Sequence, residues 1–213
     1  MSNHVEAITA IGQAIIKNKE YLTELDREIG DADHGINMAK GFEAVITKIS
    51  NLEEEKDIGF VLKTVAMTLI SSVGGASGPL YGTAFLRAAV PAAGKFALDS
   101  LTAQAMWEAA ITGIKERGKA IRGEKTMLDA LEPALEAFSE GIKANKPLLA
   151  CLELASTAAQ EGVEYTKTIA ATKGRASYLG ERSIGHPDPG ATSSTIMISA
   201  LLEFCRSNRV GGA

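Results

Sequence analysis

The stretch Asp26 to Asn37, DREIGDADHGIN, carries the densest chemistry in this sequence. Asp26, Asp31 and Asp33 stand at spacings of five and two, with Gly30, His34, Gly35 and Asn37 around them. Aspartate is a poor helix-interior residue, so three of them here mark a loop between two helices. Such a cluster repels itself, and a hard divalent cation held by oxygen is the usual remedy. A lone Asp-x-Asp reads as a solvated acidic turn in which Asp33 caps the next helix. Adding Asp26, the glycines, the histidine and the asparagine moves the reading toward a metal. The spacing does not fit a calcium EF-hand, which closes a longer loop with glutamate. Mg²⁺ fits better, because it takes a few carboxylates and leaves positions for phosphate oxygens and water.

Three other stretches offer weaker signals. Gly74-Gly75-Ala76-Ser77-Gly78 lets backbone approach a ligand closely beside a hydroxyl, and Pro79 suits the first turn of a following helix. It is not a P-loop, since no G-x-x-x-x-G-K-[ST] exists in the chain. Thr126 suits an N-cap, and Met127 and Leu128 after it either wall a base pocket or belong to the core. Arg175 begins a Gly-, Ser- and Pro-punctuated stretch that ends in Asp188-Pro189-Gly190, a common helix start. Its guanidinium is either a solvated surface charge or a fixed donor able to reach a transferring phosphoryl group.

Helical periodicity supplies the elements that must position these stretches. Ile8, Ile11, Ile15, Leu22 and Leu25 predict one helix over 4–25, and Met38, Phe42, Val45, Ile46 and Ile49 outline a second. The second fades into the charge run Glu53-Glu54-Glu55-Lys56, read as a solvated helix end and turn. A third, over 60–70, is apolar on most faces and is expected to be buried. A fourth starts at Pro79 and is ended or kinked by Pro91; a fifth runs over about 101–117. A sixth opens at Thr126 with a bend expected at Pro133, and a seventh runs from Pro147 to about Ala171. Gly190 or Ala191 opens the eighth.

The expected fold is all-α, one domain over 1–213, built as a closed barrel of eight antiparallel up-down helices. Alternating direction gathers the loops after the first, third, fifth and seventh helices at one end, and these are the Gly-, Asp- and cap-rich ones. The connections around Glu54, Ala97 and Asn145 are plain polar turns. Helices two, four, six and eight would then aim free N–H groups and positive dipole ends at one rim, which suits phosphate. A Mg-nucleotide site at that rim is the reading the joint placement supports.

Composition agrees. Apolar residues are 46% and aromatics 5%, which favours close-packed helices over a sheet. A net charge of -4, without a basic-aromatic stripe, argues against nucleic acid as the main partner. No apolar run is long enough to span a membrane and no leader pattern is seen, so a cytoplasmic protein is expected. Cys151 and Cys205 sit in apolar helical patterns and are expected to be buried thiols.

The motifs GDADHGINM (30–38), GGASGPLYGT (74–83), KTMLDAL (125–131) and DPGATS (188–193) together resemble the nucleotide-binding L-subunit family of bacterial dihydroxyacetone kinases. The resemblance extends over essentially the whole chain. It implies a closed eight-helix barrel with ADP and two Mg²⁺ at one end. It assigns Asp26, Asp31 and Asp33 to the metals. It assigns His34, Gly35, Ile36, Asn37, Ala76, Ser77, Gly118, Thr126, Met127, Arg175, Asp188, Pro189 and Gly190 to the nucleotide, with Arg175 also the catalytic candidate.

ATP-dependent relatives fuse this domain to a second one that holds dihydroxyacetone on a histidine. The domain alone is similar to the subunit of the phosphotransferase-system-dependent enzyme. There, a phosphohistidine on an M subunit rephosphorylates bound ADP, and the ATP formed serves dihydroxyacetone on a K subunit. His4, His34 and His186 include no evident substrate anchor, so activity is expected only with partners. Two other readings stay open: a kinase subunit of the same fold for another small substrate, and a nucleotide-bearing module that binds a transcription regulator.

Overall fold

The computed structural model describes residues 3–52 and 56–210, except the side chains of 209 and 210. The charge run Glu53 to Glu55 therefore lies outside the described residues. Within them stand nine α-helices and one 3-10 helix. They are α1 (Asn3–Lys17), α2 (Lys19–Ile29), α3 (His34–Ser50), α4 (Ile58–Ser72), α5 (Ser77–Ala88), α6 (Ser100–Gly118), α7 (Leu128–Lys143), α8 (Leu148–Thr166) and α9 (Pro189–Val210). The 3-10 helix spans Arg175–Ser183 and is interrupted at Gly180. Each α-helix packs on its successor and α9 returns to α1, which closes the ring.

The count departs from eight in two places. The helix expected over 4–25 is divided at Asn18, whose side-chain amide donates to the Ala14 carbonyl while its N–H is shared between Ala14 and Ile15. A side chain that competes for backbone acceptors breaks a helix without disturbing its apolar stripe. Ile15 and Leu22, one on each side of the break, both reach 0% exposure. The second addition is the 3-10 helix, which lies inside the long final loop.

Other boundaries follow local chemistry. α5 ends at Ala88, ahead of Pro91, and α7 continues through Pro133 as one helix. α8 stops at Thr166 rather than near Ala171, where the Thr166 hydroxyl turns back to the Val163 carbonyl. α4 corrects the expectation of burial on most faces. Val61, Val65 and Leu69 are interior, but Phe60, Met67 and Ile70 face outward.

Phe42, Met38, Val45, Ile15 and Leu22 centre the larger core, and Phe138, Cys151, Leu152 and Ala155 centre a second under α7, α8 and α9. Each large side chain so buried contributes about 1.5–3 kcal/mol. The Trp107 ring tilts against Phe138 at 5.5 Å between centroids. Cys151 is buried, Cys205 is half-buried, and no disulfide joins them. No helix is long and apolar enough to cross a membrane among the described residues.

Candidate functional site

At one end of the ring the loops α2–α3, α4–α5, α6–α7 and α8–α9 converge on a cavity of about 500 Å³. Its wall includes the first residues of α3, α5, α7 and α9, namely His34, Ser77, Leu128 and Pro189. The opposite end is mixed: Pro147 accepts no side-chain cap bond from α8, but two other helices there are capped. There Asp57 and Asp99 cap α4 and α6 by accepting from Phe60 N–H (3.0 Å) and Thr102 N–H (2.7 Å). At the cavity end, the residues immediately preceding α3, α5 and α7 accept no such bond, though Asp26 takes the first N–H of α3 and Thr126 Oγ1 that of α7 (3.3 Å). Of these first turns that of α5 keeps its donors open, at the positive end of a helix dipole, an arrangement that suits phosphate oxygens. α9 is the exception: Asp188 accepts from Ala191 N–H at 2.7 Å, and Pro189 opens the helix one residue ahead of the expected start.

Asp26, Asp31 and Asp33 come together, each offering a carboxylate oxygen within 4.8 Å of the others. Asp26 sits in the last turns of α2 and braces the loop, accepting from Asp33 N–H (2.9 Å) and His34 N–H (3.1 Å). Ala32 takes positive φ (60°), which folds the loop back. The Asp33 carboxyl is pushed above the usual range by burial first and then by Asp31 and Asp26. An all-oxygen, mutually repelling set of this kind fits a hard divalent cation.

His34 is 7% exposed and bridges two hydroxyls, Ser77 Oγ at Nδ1 (3.0 Å) and Ser193 Oγ at Nε2 (2.8 Å). Burial lowers its pKa to about 4, so it is a neutral imidazole at pH 7. Tyr81 continues the chain of polar groups, its hydroxyl 2.7 Å from Ser193 Oγ, 2.8 Å from Ser194 Oγ and 3.0 Å from the Gly190 carbonyl. Burial drives the Tyr81 pKa up. Three of the four converging loops are thus tied beneath the cavity by one neutral network.

Arg175 reaches across from the last loop, its Nε 2.8 Å from Asp31 Oδ2. Gly118, Thr126, Met127, Ala76, Asp188 and Gly190, assigned to the nucleotide by resemblance, line the cavity. Met127 and Leu128 line the cavity and also belong to the larger core. Gly35, Ile36 and Asn37 stand outside the lining. Gly35 is pressed onto α2, where a Cβ would strike the Lys19 carbonyl and Thr23. Ile36 is 47% exposed, and Asn37 hydrogen-bonds Asp33 and packs beside Gly74.

Four residues with a part in the site had no role in the sequence reading: Lys125, Asp129, Tyr81 and Ser193. Asp129 is 0% exposed and accepts from Gly123 N–H (2.5 Å) and Thr126 N–H (2.7 Å). The Thr126-x-x-Asp129 spacing signals that back-bond. Nothing local signals the burial of Lys125.

The DAK2 domain family matches residues 28–203. Over 92% of this chain and 93% of its own length, the ADP-binding subunit DhaL of the PEP-dependent dihydroxyacetone kinase of Escherichia coli (strain K12) is 48% identical. The ADP-binding subunit DhaL of the PTS-dependent dihydroxyacetone kinase of Lactococcus lactis subsp. lactis (strain IL1403) is 43% identical over 93% and 95%. Among solved structures, the dihydroxyacetone kinase of C. freundii in complex with AMP-PNP and Mg²⁺ superposes with a TM-score of 0.70 at 25% identity. That match covers 93% of this chain and 33% of the kinase.

Proposed function

From a chain that belongs to the DAK2 domain family, we propose an ADP-binding subunit of a phosphoenolpyruvate-dependent dihydroxyacetone kinase that works only with partner subunits. The observation that carries this reading is the placement of three clustered carboxylates beside the uncapped N-terminus of α5 on one cavity. When bound, the nucleotide supplies a phosphoryl carrier between a phosphohistidine on an M subunit and dihydroxyacetone on a K subunit, and two Mg²⁺ on Asp26, Asp31 and Asp33 supply charge neutralisation.

The chain itself positions. First-turn amides of α5 donate to phosphate oxygens, and neutral His34 holds Ser77 beside them without adding charge. Met127 and Leu128 offer an apolar wall for a base. Arg175, released from Asp31, places a guanidinium where charge develops on the transferring phosphoryl group. No protein nucleophile is required, in keeping with a site that lacks a buried cysteine or a charged histidine.

The test is to purify the chain without added nucleotide, denature it, and identify what is released by mass spectrometry and metal analysis. About one ADP and up to two Mg²⁺ per chain are expected for a retained coenzyme. A chain that carries nothing and takes up ATP only transiently would overturn the coenzyme reading.

A further inference from the structure

Lys125 is among the largest fully buried side chains, at 1% exposure, and among the described residues no carboxylate pairs with it directly. Its ammonium instead donates to three carbonyls: Thr166 at 2.5 Å, His186 at 2.6 Å and Ile169 at 3.4 Å. Thr166 is the last residue of α8, where the helix leaves carbonyls unpaired and its dipole is negative. His186 stands two residues before Asp188, at the far end of the same loop. One cation thus holds both ends of the segment 167–187 together.

Neutral bonds reinforce this base. Gly185 N–H donates to the Lys167 carbonyl (2.8 Å), and Asp188 N–H donates to Thr166 Oγ1 (2.9 Å). The far side of the segment rests on α2, where Ala171, Ala176 and Leu179 pack on Ile29. Arg175 projects from the segment onto Asp31. Lys125 takes positive φ (60°) at the turn between α6 and α7, and it lines the cavity together with Thr126 and Met127. A buried ammonium costs heavily unless its donors are satisfied, so a lysine kept here must return something that methionine, of similar length, would not.

The geometry points to Lys125 as a positioning residue: its ammonium clamps the base of the 167–187 loop and thereby sets where Arg175 stands over the cavity. Lys125 itself lines the cavity, but its ammonium is committed to backbone carbonyls. It acts through three backbone oxygens, and it joins the third loop of the rim to the fourth. The inference rests on the proposed nucleotide site only for its binding readout; the clamp itself is a property of the nucleotide-free chain.

The experiment compares wild type, Lys125→Met, Arg175→Gln and the double variant of the full chain. Amide hydrogen exchange is read without nucleotide, and ADP affinity is read by titration with Mg²⁺. In Lys125→Met, exchange over 167–187 rises by about tenfold or more while α4 and α6 keep their protection. ADP binding weakens about tenfold, and Arg175→Gln costs much less in the Lys125→Met background than in wild type. A merely structural lysine would give factors that multiply. Multiplying factors, or unchanged exchange over 167–187, overturn the proposal.

If wild type binds no ADP, the nucleotide reading fails while the exchange result still decides the clamp. Should Lys125→Met fail to fold, ¹⁵N-labelled wild type decides. A lysine ammonium with slowly exchanging protons, coupled to backbone carbonyls, supports the clamp, and its absence overturns it.

Discussion

Arg175 Nε lies 2.8 Å from Asp31 Oδ2, so the last loop of the chain closes on the first. The pair is partly exposed, with side-chain exposures of 66% and 33%, and exposed pairs are worth at most about 1 kcal/mol. The same Asp31 oxygens are needed for a cation. Arginine and metal therefore compete, and Arg175→Gln in the nucleotide-free chain is expected to bind Mn²⁺ up to about fivefold more tightly. A Mn²⁺ titration followed by electron paramagnetic resonance measures this directly. Equal affinities would mean the pair does not form in solution.

Asp31 and Asp26 separate ligation from loop construction. Among the described residues Asp31 accepts no backbone bond, only Arg175, so Asp31→Ala should abolish ADP retention while changing stability by at most about 1 kcal/mol. Asp26 receives two backbone N–H groups, and Asp26→Ala strands both. Its urea midpoint should fall by the equivalent of about 1–3 kcal/mol as well. Retained ADP in Asp31→Ala would remove the metal assignment.

Both aspartates were legible in the sequence because the evidence for them is local: residue type, spacing and flanking glycines within a dozen positions. The rim was legible too, since helix parity follows from short connections and periodicity. Lys125 was not. Its carbonyl partners lie 41 to 61 residues away, and an isolated lysine in a polar connection gives no sign that a helix end will close over it. Tyr81 is a similar case, with hydroxyl partners more than a hundred residues distant. Asn18 was missed for another reason: a break that preserves the phase of the apolar stripe leaves Ile15 and Leu22 where an unbroken helix would put them. The outward Phe60, Met67 and Ile70 on α4 show the limit of hydropathy, which counts apolar residues but not what covers them.

Asp188 makes stability fall with rising pH. Burial is the main cause that pushes its carboxyl up to about 7 from 3.8, opposed by the Ala191 N–H and helped by Asp129. Between those values the folded chain holds a proton that the unfolded chain has released. That stability is present below about pH 4 and is lost as pH rises through 7. Asp188→Asn keeps an oxygen for Ala191 N–H and removes the titration. From pH 4 to 8, wild type should therefore lose roughly 1–4 kcal/mol relative to the variant, read from urea midpoints. Parallel pH profiles would show that Asp188 is ionised in the folded chain throughout.

Gly162 links packing to the site. α8 crosses α7 so closely that a Cβ on Gly162 would strike the Asp129 carbonyl, and Ala130 Cα would lie 2.8 Å away. That carbonyl is free to be approached because Pro133, four residues on, has no N–H to donate to it. The proline that looks like a violation in α7 is thus matched by a glycine in α8. Gly162→Ala is expected to cost about 1–3 kcal/mol, because the clash is with backbone and cannot be relieved by a rotamer change. The cost should reach the cavity as well. Moving Asp129 loosens its carboxylate from Gly123 and Thr126 N–H, which shape the turn before Met127. Weaker ADP binding should accompany the lower urea midpoint. Gly94→Ala, at a position outside the cavity where a Cβ meets nothing within 4 Å but φ is 71°, serves as a control for strain without the clash. If Gly162→Ala is destabilised yet binds ADP like wild type, Asp129 does not transmit the α7–α8 packing to the site.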